Sequence, residues 1–212
     1  PGESLAQTPM LALLLCGRRT PESWSSNAEP VDFYDMKGEI EALLQAADQP
    51  LTFRAAVRTG LHDGQTAEIL LGAEVVGVMG RLHPSTAKTL NLPEQTLVAE
   101  LELASVVGRA LPDYEEISKF PEVRRDIAVI VNRETPSGAV LDAARASAGA
   151  ALANARIFDV YEGDGVAENA KSLAIGLTFR DQSRTLTDEE INESLSQVIE
   201  SLGEKLGATL RH

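Results

Sequence analysis

Asp159 and Tyr161 stand two residues apart in the stretch 157–161, and Ser172 opens a second stretch, 171–181; in both, apolar positions alternate. Alternation means a strand with one face buried. In the second stretch Leu173, Ile175, Leu177 and Phe179 share the inner face, with Ser172, Ala174, Gly176 and Thr178 opposite. In the first, Phe158 and Val160 fall inside and Asp159 and Tyr161 outside. An acid and a phenol on an open face are either an ordinary solvated pair or two members of a binding site. The pattern alone leaves both readings open. Arg124, Arg125, Arg180 and Arg184 gather in the same half of the chain. Surface ion pairs with nearby acids such as Asp126 account for most of them. Arg180, at the end of the open-face series, is the best additional candidate for a phosphate contact.

Other reactive residue types point nowhere together. His62, His83 and His212 lack ligand spacing with Cys16, so no zinc site is expected. Cys16 ends the apolar run 10–16 and reads as buried and inert, with nothing to orient a Cys–His pair. His83-Pro84 reads as a local turn or cap. Asp188, Glu189 and Glu190 serve a helix N-terminus before any acid–base role. Asp32, Asp35, Glu39 and Glu41 form a solvated helix face or a subunit contact, and the sequence does not choose between them.

These residues must be positioned by two blocks of elements. In the first, 10–16 reads as a strand buried on both faces, 18–30 as a loop holding Trp24, and 32–47 as a helix ended by Pro50. A strand at 51–57 and a loop at 59–65 follow. Strands at 67–71 and 74–79 flank Gly72-Ala73 as a tight hairpin. A short helix at 85–90 capped by Ser85, a strand at 97–103 and a helix or turn at 104–110 complete the block. Residues 112–121, bounded by prolines and without periodicity, read as the linker.

After the linker the order is β-α-β-β-α-β, the ferredoxin-like arrangement. It comprises a strand at 125–131, a helix at 137–148 with Thr135 as cap and Pro136 at its first position, strands at 155–161 and 171–180, a helix at 188–206, and a last strand at 208–211. Thr187 and Glu190 have the capping-box spacing. Residues 162–170 form the hairpin loop. Both helices must cover the face assigned to Phe158, Val160, Leu173 and Ile175, leaving the other face open.

The composition sets outer bounds. The chain has 212 residues and a net charge of −13, which argues against nonspecific nucleic-acid binding. Residues 1–115 carry 8 Lys+Arg against 16 Asp+Glu, net −8; residues 116–212 carry 11 against 16, net −5. A local RNA site in the second half fits this charge, and a broad electrostatic track does not. No apolar run approaches the ~20 residues of a membrane helix. The single cysteine excludes an internal disulfide and fits a reducing cytoplasm. Because the chain begins at Pro1 rather than Met, it is expected to be a piece of something longer.

Several motifs then match one family in order. FPEVRRDIAVIV at 120–131, FDVY at 158–161, KSLAIGLTF at 171–179, RTLTDEE at 184–190 and TLR at 209–211 resemble the C-terminal anticodon-binding ferredoxin-fold domain of bacterial phenylalanyl-tRNA synthetase β subunits. DFYDMKG at 32–38, HDGQTAEI at 62–69 and VGVMGRLHP at 76–84 resemble the catalytic-like domain of the same subunits. The resemblance implies an α+β chain. A partial class II synthetase-like antiparallel-sheet domain (1–111) would be followed by a linker (112–121) and the ferredoxin-fold domain (122–212). It implies an (αβ)₂ heterotetramer in the cytoplasm, in which the α subunit binds ATP and Mg²⁺ and charges tRNA(Phe). This chain would hold no cofactor and do no catalysis on its own. Consistent with that, it has no Gly-rich segment followed by the Arg that class II enzymes use on ATP.

By the same resemblance, Asp159, Tyr161, Ser172 and Arg211 would meet the first anticodon base. Tyr161 offers a π surface, Asp159 an acceptor for the Watson–Crick N–H groups of guanine, Ser172 an adaptable hydroxyl, and Arg211 a partner for phosphate or base. The rival readings are a protein–protein scaffold whose ferredoxin-like half is vestigial, and an independent enzyme working through Cys16 or the histidines.

Overall fold

Alternating apolar residues build two separate antiparallel sheets. The computed structural model describes residues 7–45, 47, 49–107 and 118–211. The chain divides into two units, Pro1–Tyr114 and Glu115–His212. The expected linker lies outside the described residues up to 117. Ser118 already belongs to the second unit, because its hydroxyl donates to the Asp181 carbonyl at 3.0 Å.

In the first unit, strands β1 (Met10–Leu15), β2 (Leu51–Ala55), β3 (Leu61–Leu71), β4 (Glu74–Leu82) and β5 (Leu97–Glu102) form one sheet in the order β1-β5-β4-β3-β2. Helix α1 (Phe33–Leu43) lays Met36 and Ile40 on it, against Ile69, Met79, Leu97 and Leu101. Asp32 and Asp35 form a capping box at its start, and Arg19 binds both carboxylates together with Glu29. The acids left undecided between solvent and partner therefore include two that hold their own helix end. Short helices α2 (Pro84–Thr89) and α3 (Leu103–Val107) complete the unit, and the remainder of the expected 104–110 helix lies outside the described residues.

Four expectations for this unit change. Strand β1 lies at a sheet edge with α1 on one side only, so Leu13 and Leu15 pack inward while Met10 and Leu14 are 45% and 54% exposed. Cys16, just beyond it, is exposed rather than buried. Residues 61–65, expected as loop, belong to β3, whose pairing with β4 shifts register between Leu61 and Thr66 to absorb the polar HDGQ segment. At α2 the cap is His83, not Ser85: its Nδ1 accepts from the Ser85 backbone N–H at 3.2 Å, and Pro84 takes the first helical position.

The second unit has strands β6 (Val123–Asn132), β7 (Leu152–Tyr161), β8 (Ala170–Phe179) and β9 (Thr209–Leu210), with helices α4 (Ser137–Ser147) and α5 (Asp188–Leu206). The sheet order is β7-β8-β6-β9, all pairs antiparallel, as the ferredoxin-like arrangement requires. Both helices pack on the face carrying Val129, Val131, Leu173, Ile175, Leu177 and Phe179, through Val140, Ala144, Ile191, Val198 and Leu202. Helix α4 starts at Ser137 as expected, but its cap is Pro136 rather than Thr135, with no side-chain hydrogen bond there. No described helix is long and apolar enough to cross a membrane.

Helix α5 is fixed at both ends. Gly207 closes it in the left-handed conformation, φ 62°. At the start, the Thr187 hydroxyl accepts from the Glu190 N–H, and the Glu190 carboxylate accepts from the Thr187 N–H and from both terminal nitrogens of the Arg184 guanidinium. Arg184, and then the Thr187 N–H, lower the Glu190 carboxyl from its ordinary 4.5 to about 2. A depressed carboxyl pKa stabilises the fold fully above the ordinary value and loses that contribution as pH falls through the folded value. Urea unfolding of the chain and of Glu190→Gln is therefore expected to differ above pH 5 and to converge between about pH 4.5 and 2. A gap independent of pH would contradict the capping role of the charge.

Candidate nucleic-acid interface

The sheet face away from α4 and α5 is reached from the register of four strands. Asp159 lies opposite Ala174, Ala174 opposite Ala128, and the Ala128 carbonyl accepts from the Arg211 N–H at 2.9 Å. In the next row Tyr161 lies opposite Ser172, and Ser172 opposite Ile130. Asp159 and Tyr161 therefore edge this face on β7 and Arg211 just past the end of β9, about 14 Å apart by strand spacing. Between them lie the small residues Ala174, Ala128 and Ser172, with Ile130 beside Ser172.

Tyr161 and Arg211 meet on this face, with the guanidinium carbon 4.6 Å from the ring centroid. A cation over a ring face is attracted by the ring quadrupole, and the guanidinium plane can itself be stacked upon. The Tyr161 hydroxyl donates to the Asp164 carbonyl at 3.2 Å, tying the ring to the 162–169 loop. Gly163 permits this closure, since a Cβ there would stand 2.8 Å from the hydroxyl oxygen. Ser172 is 4% exposed, so it lies beneath its neighbours rather than at the surface.

The ion pairs of this unit set off the site. Arg124 binds Asp126, Arg125 binds Asp188, Arg133 binds Glu162 and Arg184 binds Glu190. Among the described residues, neither Asp159 nor Arg211 makes a salt bridge. A face on which a partly exposed ring is stacked by a guanidinium, both without a carboxylate partner among the described residues, beside an acceptor that makes no salt bridge there, is equipped for a planar polar ligand such as an unstacked base.

Residues 118–211 match the family model of the ferredoxin-fold anticodon binding domain, and residues 1–103 that of the phenylalanyl tRNA synthetase beta chain CLM domain. The phenylalanine–tRNA ligase beta subunit of Pseudomonas syringae pv. tomato is 45% identical over 99% of the chain, which covers 27% of that protein. The corresponding subunit of Hahella chejuensis is 44% identical over 99% of the chain and 27% of its own length. That of Vibrio vulnificus is 40% identical over 98% and 26%. The chain belongs to the phenylalanyl-tRNA synthetase β-subunit family. It spans about a quarter of the length of these β subunits.

Within this synthetase segment the register brings Asp159, Tyr161, Ser172 and Arg211 to one face, whereas Arg180 stands apart. Arg180 follows the end of β8, eight residues from Ser172 and ~26 Å away along a strand. Alternation also misplaced Phe158. Ile157 pairs with Ile175 and Asp159 with Ala174, so Phe158 is the extra residue of a β-bulge. Its ring is 50% exposed and lies beside Arg124, a residue of the open face, instead of under the helices. Val160 keeps the inward register opposite Leu173, yet it is 54% exposed near the outer end of an edge strand. The signal for the bulge was present in the sequence as two apolar residues, Ile157 and Phe158, breaking the alternation.

Elsewhere the histidines do local work. His62 Nδ1 accepts from the Gly64 N–H, and His83 pairs with Ser85 as it caps α2. Among the described residues no group of three or more His, Cys, Asp or Glu could hold a metal ion.

Proposed function

We propose that this β-subunit segment receives the first anticodon base of tRNA(Phe) on the open sheet face of its second unit. The observation that carries the proposal is the meeting of Tyr161 and Arg211 on the open face, beside an Asp159 carboxylate that makes no salt bridge among the described residues. Tyr161 supplies the stacking surface, Asp159 accepts from guanine N1–H and N2–H, and Arg211 stacks on the base or holds its phosphate. Ser172 supplies a hydroxyl from below. A net charge of −13 makes this a site of discrimination, with most of the affinity for the tRNA supplied by other parts of the complex.

The chain performs no aminoacylation itself in this reading. It works in the cytoplasm within an (αβ)₂ synthetase, whose α subunit uses ATP and Mg²⁺ to charge the tRNA. The first unit binds that subunit through the sheet face opposite α1, where Ala12, Leu14, Val78 and Val98 line an open apolar groove.

Filter binding of the chain to the tRNA(Phe) anticodon stem-loop tests the proposal. Saturable binding is expected, and a stem-loop abasic at the first anticodon position should compete poorly. Co-purification with the α subunit but no stem-loop binding would favour the scaffold reading instead.

A further inference from the structure

Phe158 has no part in the four-residue site, yet the strand goes out of register to present it. A bulge re-aims a side chain at the cost of regular pairing, and this one turns a phenyl ring away from a core lying on the other side of β7. On the open face the ring meets Arg124, whose guanidinium carbon lies 5.3 Å from the ring centroid. Asp126 anchors that guanidinium through Nε at 2.8 Å and a terminal nitrogen at 3.3 Å. The pair lies over Gly176, where a Cβ would approach two guanidinium nitrogens to 3.1 and 3.2 Å and the Asp126 Oδ1 to 3.2 Å. A ring with a guanidinium beside it, held on small residues of β8, thus occurs twice on one face: Tyr161 with Arg211, and Phe158 with Arg124.

The two rings sit three residues apart on one strand, roughly 10 Å or less given the bulge. Four-stranded sheets of other RNA-binding domains use aromatic residues on one face to stack two or three successive bases. We infer that Phe158 and Arg124 form a second base platform, which takes the nucleotide next to the one on Tyr161. The face then holds two consecutive unpaired nucleotides of the RNA loop. This rests on the reading of Tyr161 as a base platform.

The two positions differ in chemistry. Arg124 is already neutralised by Asp126, so the second platform adds stacking surface and little net charge. Its contribution is therefore insensitive to salt and tolerant of base identity, since every base has a π face.

Filter binding of the full chain at fixed salt, using anticodon stem-loops made abasic at one loop position at a time, tests this. Phe158→Leu is expected to weaken binding of the intact stem-loop by about 5- to 150-fold, the usual worth of one base stack, with the salt slope unchanged. Phe158→Tyr should retain the affinity. The Phe158→Leu loss should vanish on the RNA abasic at the position adjoining the one where the Tyr161→Ala loss vanishes. Thermal unfolding checks the fold. If Phe158→Leu lowers it, Gly176→Ala, which pushes Arg124 off the ring, carries the test with the same expected nucleotide dependence. Wild-type binding by Phe158→Leu while Tyr161→Ala weakens it would overturn the second platform and leave the first, as would losses that map to one and the same nucleotide. Wild-type binding by both variants would overturn the first platform and the second with it.

Discussion

Tyr161→Ala is expected to weaken binding of the tRNA(Phe) anticodon stem-loop by about 1–3 kcal/mol, measured by filter binding at fixed salt. The ring is the one large flat surface between Asp159 and Arg211, and it is steadied from above by the guanidinium and from the side by the Asp164 carbonyl. A base entering this site either takes the place of the guanidinium on the ring or stacks on the guanidinium plane; both routes need the ring. Tyr161→Phe separates the two supports, because it keeps the π surface and removes only the hydroxyl tie to the 162–169 loop. It should bind nearly as wild type. Unchanged affinity in Tyr161→Ala would remove Tyr161 from the site.

Phe179→Ala is expected to destabilise the second unit by about 3–5 kcal/mol, the range for truncating a fully buried phenylalanine. Phe179 has no exposed surface and ends the inward series Leu173, Ile175, Leu177. It lies opposite Val123 on β6 and Leu152 on β7, so its removal leaves a cavity spanning three strands. Amide hydrogen exchange along β6 and β8 reads the effect within this unit, since the slowest amides there report its unfolding. A loss under about 1 kcal/mol would mean that the site's floor is not held by this core. Because Ser172, Ala174 and Gly176 alternate with the same buried residues, the variant should also loosen the open sheet face.

Much of this was legible because the sheet obeys a period of two. Leu173, Ile175, Leu177 and Phe179 give the buried face of β8 directly, and the opposite parity then puts Ser172 on the open face. Thr187 and Glu190 announced the start of α5 through spacing alone, and the structure has the box. What failed were places where the partner strand or an edge decides. Phe158 and Asp159 have opposite parity, yet a bulge, signalled only by the adjacent apolar residues Ile157 and Phe158, brings both to the open face. Met10 and Leu14 looked like core because apolarity does not reveal which strand will lie at the edge of a sheet. His83 displaced Ser85 as a cap because a histidine nitrogen can accept the N–H as a serine oxygen does. Ser172 was assigned to the correct face, but its depth below Tyr161 follows from packing that no single strand encodes.

The reading of a guanine by Asp159 is tested most directly by equilibrium binding of two anticodon stem-loops, one with guanine and one with adenine at the first position. A carboxylate accepts from both N1–H and N2–H of guanine, while adenine turns an acceptor towards it and leaves the carboxylate unmatched. The wild-type chain is expected to prefer guanine by about 1–3 kcal/mol, and Asp159→Asn to lose most of that preference while binding the adenine stem-loop at least as well as before. Equal binding of the two stem-loops by the wild type, or a guanine preference that survives Asp159→Asn, would contradict it.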